Sequence, residues 1–206
     1  MEERKADQYR TLAAPSEGAI FKDRGSKFYG FAFPVTSEEI IKERIEEVKK
    51  THYNARHWCY AWQLGKAYEH YRANDDGEPN NSAGMPIYGQ LQAFDLTNTL
   101  VVVVRYFGGT KLGVGGLIQA YKTGAQYALE AAKIVTRTID EEFLLSFEYP
   151  EMDLVMRTLK EHQIDILEQD MHLTCRFHIS VRKTEAAHMF ELFSEMYKVT
   201  IKKVEE

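Results

Sequence analysis

Arg105 closes a run of four valines, and the eleven residues after it hold five glycines and one lysine: Val101-Val-Val-Val-Arg105-Tyr-Phe-Gly108-Gly109-Thr-Lys111-Leu-Gly113-Val-Gly115-Gly116-Leu117. The valines read as a strand buried on both faces. Gly108, Gly109, Gly113, Gly115 and Gly116 permit positive φ and close approach of another group to the main chain. A helix expected from Leu117 to Ala132 would offer its first free N–H groups to an anion, with Arg105 and Lys111 as nearby cations. Neither common phosphate grammar is present. Gly108-x-x-x-x-Gly113 is followed by Val114 where a P-loop needs lysine, and Ile118 stands where a dinucleotide fingerprint needs its last glycine. The loop therefore indicates an anion or backbone-approach site without naming a ligand. A tight strand-to-helix connection would use the same glycines.

Two further clusters could do chemistry. In Asn54-Ala-Arg56-His57-Trp58-Cys59, Arg56 could bind an anion and His57 could act as a general base or tie a loop to a strand start. In Asn74-Asp75-Asp76-Gly77-Glu78-Pro79, three acids within four residues could hold Mg²⁺ through waters. They could equally form Asx turns or pair with Arg56, Arg72, Arg105 or Lys111. The metal-loop spacing of an EF-hand is absent. No serine-hydrolase elbow, zincin motif, zinc Cys/His set or DNA-reading motif occurs. His52, His70, His162, His172, His178 and His188 are scattered, and Met152, Met156, Met189 and Met196 fit ordinary helix packing.

These residues need a scaffold, and 206 residues at 44% hydrophobic content can bury one or two cores. Net charge is −5, which argues against a general nucleic-acid coat. Residues 1–135 carry 17 Lys+Arg against 16 Asp+Glu, or +1, whereas residues 136–206 carry 9 against 15, or −6. Cys59 and Cys175 have no metal spacing and read as reduced core thiols. The first residues lack a signal-peptide core and no apolar run reaches spanning length, so a cytoplasmic location is expected.

Residues 19–35 alternate around Gly25-Ser26 as a hairpin, and Thr36-x-x-Glu39 opens a helix through Ile41, Ile45 and Val48. Strands are expected at 58–64 and about 68–73, then a short helix capped by Ser82 and ending at Ala93. After the charged Asp140-Glu-Glu, the periodicity restarts as βαββαβ. The expected domains are 1–137 and 138–206.

The clusters also carry a resemblance. Arg56-His-Trp-Cys-Tyr-Ala61, Asp75-Asp-Gly-Glu-Pro79 with Ser82-Ala-Gly84-Met-Pro86, and Val104 to Leu117 with Ala120-Tyr121 resemble the signatures of the Impact family in its bacterial YigZ-like form. Gly25-Ser-Lys-Phe28 fits the family's opening segment, and Asn80-Asn81-Ser82 departs from its usual small residue and threonine. The resemblance implies an α+β, two-layer architecture: an N-terminal domain similar to ribosomal protein S5 domain 2, and a ferredoxin-like C-terminal domain similar to those of elongation factor G. Eukaryotic relatives regulate translation and carry an extra N-terminal interaction domain, for which the segment before Ala19 is expected to be too short.

Two functions follow as expectations. The first is a non-catalytic regulator of translation that binds RNA or a ribosome-associated partner through Arg56, His57, Arg72, Arg105, Lys111 and the loop glycines. The second is an enzyme or sensor for a small phosphorylated ligand. There the glycine loop would hold phosphate, Asp75, Asp76 and Glu78 would place Mg²⁺, and His57, Asp76 and Glu78 would be the catalytic candidates.

Overall fold

The computed structural model describes residues 7–16 and 18–204. It is a mixed α/β protein with antiparallel sheets, dividing into two compact units: residues 9–137, and residues 138–204 together with Asp7 and Gln8. Among the described residues, no helix is long and apolar enough to cross a membrane.

In the first unit, strands β2 (Ala19–Asp23), β3 (Ser26–Pro34), β4 (His57–Leu64), β5 (His70–Asn74) and β6 (Thr99–Tyr106) form one sheet in the order β2-β3-β6-β4-β5. The valine strand is central, and Leu100 through Val104 are wholly buried. Its two faces feed two cores. Val101 and Val103 pack with Phe28, Cys59 and helices α2 (Gly84–Ala93) and α3 (Gly113–Glu130). Leu100, Val102 and Val104 pack with Phe33, Trp62 and helix α1 (Glu38–Thr51). β1 (Gln8–Leu12), which the sequence did not announce, pairs with β7 (Ile134–Thr138).

Several local expectations change. Arg24 and Gly25, both at positive φ, make the hairpin turn, the geometry a two-residue connection favours. Ser37, not Thr36, caps α1 by accepting from the Ile40 N–H at 3.4 Å. Ser82 does not cap α2; its hydroxyl donates to the Pro79 carbonyl at 2.6 Å. Helix α3 begins at Gly113 rather than Leu117, so three of the loop glycines lie in its first turn.

The second unit runs β8 (Asp140–Glu148), α4 (Met152–Glu161), β9 (Asp165–Met171), β10 (Thr174–Arg182), α5 (Lys183–Ser194) and β11 (Thr200–Lys203). Its antiparallel sheet has the order β11-β8-β10-β9. Asp140-Glu-Glu is the start of β8, since the inward residues that define the strand are Phe143, Leu145 and Phe147.

Candidate functional site

Strand alternation puts Phe28 of β3, His57 of β4 and Arg105 of β6 in one cross-strand row, on the face that carries α2 and α3. A guanidinium at the end of a buried strand must find a partner. It does: Arg105 Nη1 donates to Glu78 Oε1 at 2.6 Å, with the two side chains only 7% and 4% exposed. The Tyr121 hydroxyl, reaching back from α3, donates to the same oxygen at 2.8 Å. Phe28 and Phe107 flank the guanidinium, at 5.7 and 5.5 Å from its central carbon. Arg105 Nε is buried without a partner among the described residues.

The acidic turn is built into this arrangement one carboxylate at a time. Asp75 accepts from the N–H groups of Ala83 and Gly84, each at 2.9 Å, and of Asn81 at 2.9 Å, so it satisfies the α2 start that Ser82 was expected to serve. Asp76 accepts from the Trp58 N–H at 2.7 Å. Glu78 takes Arg105 and Tyr121. Each acid therefore has its own partner, and among the described residues no group of three His, Cys, Asp or Glu side chains is placed to hold a metal.

His57 sits at the edge of the cluster. Its Nδ1 is 2.8 Å from the Asp76 carbonyl oxygen, which can only accept, so Nδ1 carries the proton. Nε2 then faces Glu78 Oε1 at 4.0 Å. Behind it, the Cys59 thiol donates to the Asp75 carbonyl at 2.9 Å, and burial pushes both the Cys59 thiol and the Tyr121 phenol up from their ordinary pKa values.

The glycine loop closes the same end of the sheet. Gly108 packs against the Gly25-Ser26 backbone, where a Cβ would collide, and its N–H donates to the Ser26 hydroxyl at 3.1 Å. Positive φ occurs at Gly109 (89°) and Gly113 (72°). Gly115 and Gly116 are ordinary helical positions and do not use the positive φ that glycine permits. The first turn of α3 has no side-chain cap and no acid, and Gly113, Val114 and Gly115 are exposed.

Of the residues expected at one site, His57, Glu78 and Arg105 meet through side chains, and Asp75 and Asp76 support them. Arg56 and Lys111 are exposed and make no ion pair among the described residues; the Arg56 N–H reaches the Arg105 carbonyl at 3.5 Å. Arg72 does not join them. It stands opposite Trp62 on β5, and Trp62 packs with α1, so Arg72 lies on the other face of the sheet. Tyr121 and Ser26 were missed as site residues. The helical spacing from Leu117 through Tyr121 to Ala125 marks a core face, and only the fold puts a carboxylate beside the phenol.

Comparison with known proteins places this geometry. A model of the Impact N-terminal domain matches residues 24–129, which span the hairpin turn and β3, the acidic turn, the glycine loop and most of α3. The IMPACT family member YvyE of Bacillus subtilis (strain 168) is 33% identical over 188 residues, covering 91% of this chain and 86% of YvyE. The IMPACT family member YigZ of Escherichia coli (strain K12) is 33% identical over 147 residues, covering 70% of this chain and 72% of YigZ. A solved structure described as a hypothetical protein superposes with TM-score 0.72 at 27% identity, covering 98% of this chain and all of that one.

Proposed function

The chain belongs to the Impact family, and from that premise we propose that it is a non-catalytic, cytoplasmic regulator of translation that binds RNA or a ribosome-associated partner at the mouth of the glycine loop. The observation that carries this reading is the division of the cations. Arg105 is neutralised inside by Glu78, while Lys111 stays exposed beside an uncapped helix start. The buried pair fixes the end of β6, and the exposed lysine meets a phosphate or an acidic surface. We read the first unit as similar to ribosomal protein S5 domain 2 and the second as ferredoxin-like, folds that recur in translation proteins. With a net charge of −5, phosphate contact has to be local.

The test is co-sedimentation of the full chain with ribosomes across a salt series, comparing Lys111→Ala with the unmodified protein. Retention lost with rising salt, and weakened in Lys111→Ala, is the expected result. Retention indifferent to Lys111, or no retention at low salt, overturns the reading.

One observation favours a second reading. His57 has its tautomer set by the Asp76 carbonyl and turns Nε2 toward Glu78, and Arg105 keeps a buried, unpartnered Nε. A small phosphorylated ligand would find a proton acceptor in His57 Nε2 there. Titration with inorganic pyrophosphate, followed by the His57 ring proton shifts, distinguishes it: shifts specific to His57 support a ligand site, and their absence removes it.

A further inference from the structure

The face of the sheet opposite the Glu78–Arg105 pair carries a second surface at the same end. Helix α1 covers the middle of that face and stops at Thr51, leaving Tyr29 of β3 and Tyr106 of β6 half-buried at its end. Their rings meet at 5.6 Å, and His52 fixes them, with Nδ1 3.0 Å from the Tyr106 hydroxyl. Tyr53 follows and is 74% exposed. Beside the rings are cations. Lys27 stands directly across from Tyr106, and Lys22 directly across from Lys27, so all three point to this face. Lys22, Lys27 and Arg56 are exposed and make no ion pair among the described residues. Long cations left unpaired in an acidic chain, next to rings held by their neighbours, are the two components of a stacking platform: π-faces for bases and charges for the backbone.

We propose that this face binds single-stranded RNA, with unstacked bases on Tyr53 and the Tyr29–Tyr106 edge and phosphates on Lys22, Lys27 and Arg56. The proposal deepens the RNA branch of the function above and rests on it. Single strands fit because duplex RNA buries its base faces within the stack, where the tyrosines cannot reach them. The strand would continue past the end of β6 toward Lys111, since Tyr106 directly precedes the glycine loop.

The experiment measures fluorescence anisotropy of a labelled uridine oligonucleotide of about 12 nucleotides, within the usual range for one platform, titrated with the full chain. Tyr53→Ala should weaken binding about tenfold, as loss of one stacked base does. Tyr53→Phe should restore it, because the ring and not the hydroxyl stacks. The double variant Lys22→Ala/Lys27→Ala should lower the salt slope by about 1.4, the single-strand value for two phosphate contacts. A duplex of the same length should bind more weakly. Tyr53 is exposed and the lysines are at the surface, so these variants keep the fold. Binding unchanged in Tyr53→Ala and in the double lysine variant overturns this proposal. If Lys111→Ala alone then abolishes binding, the loop reading survives. If the oligonucleotide does not bind but ribosome retention still depends on Lys111, the RNA platform falls and the partner at the loop is a protein.

Discussion

Glu78 and Arg105, 27 residues apart in sequence, form a 2.6 Å ion pair with both side chains nearly closed to solvent. One carboxylate oxygen serves Arg105 and Tyr121 together, so the acidic turn, the central strand and α3 converge on a single atom. Such a pair contributes little net stability compared with apolar residues, but removing one partner strands the other charge.

Glu78→Ala should therefore destabilise the first unit by about 3–5 kcal/mol. Tyr121→Phe, which removes one hydrogen bond and no charge, should cost about 1 kcal/mol. Adding Arg105→Leu to Glu78→Ala should recover part of the loss. Urea unfolding followed by tryptophan fluorescence reads this directly, because the only two tryptophans, Trp58 and Trp62, both lie in that unit. An unchanged midpoint in Glu78→Ala would refute the buried-pair account.

The loop glycines should separate by position rather than by type. Gly108→Ala should destabilise strongly, because a Cβ would strike the Gly25-Ser26 backbone, which cannot move as a flexible side chain can. Gly113→Ala should cost about 1–2 kcal/mol for its positive φ. Gly115→Ala meets open space in a helical conformation and should be neutral or stabilising by up to about 1 kcal/mol. A common effect of all three on the thermal midpoint would contradict the geometry.

Asp75→Ala removes the acceptor of three backbone N–H groups and should cost about 2 kcal/mol, at the upper end of capping effects. Ser82→Ala should cost less, because its hydroxyl only donates to Pro79. Reversal of that order would mean that Ser82 is the true start signal of α2.

His52 supplies a pH dependence. Burial beside Tyr29, Phe31 and Tyr106 lowers its pKa below the ordinary 6.5. The unfolded chain then binds the proton more readily. This contribution is whole above pH 6.5 and is lost as pH falls toward the lowered folded value. Unfolding midpoints measured between pH 8 and pH 5 should fall less steeply on acidification in His52→Gln than in the unmodified protein. Equal slopes would show that burial does not set the charge of this ring.

The sequence by itself determined most of the elements and the chemistry on offer. The unbroken β-branched run Val101–Val104 and the alternation of Phe143, Leu145 and Phe147 place their strands, and the repeat of Ile41, Ile45 and Val48 marks the α1 face, because period and burial are local properties of the chain. The motifs from Arg56 to Tyr121 also carried the family. What the sequence could not assign was which acid meets which donor. Three neighbouring carboxylates in one turn end on a helix start, a strand start and a buried arginine, and backbone direction within Asp75–Glu78 decides that only after α2 and β6 have packed. Arg72 shows the same limit in reverse. Its charge suited the site, but pairing opposite Trp62 sends it to the other face, since side chains alternate across a sheet and only strand register fixes which side each one takes.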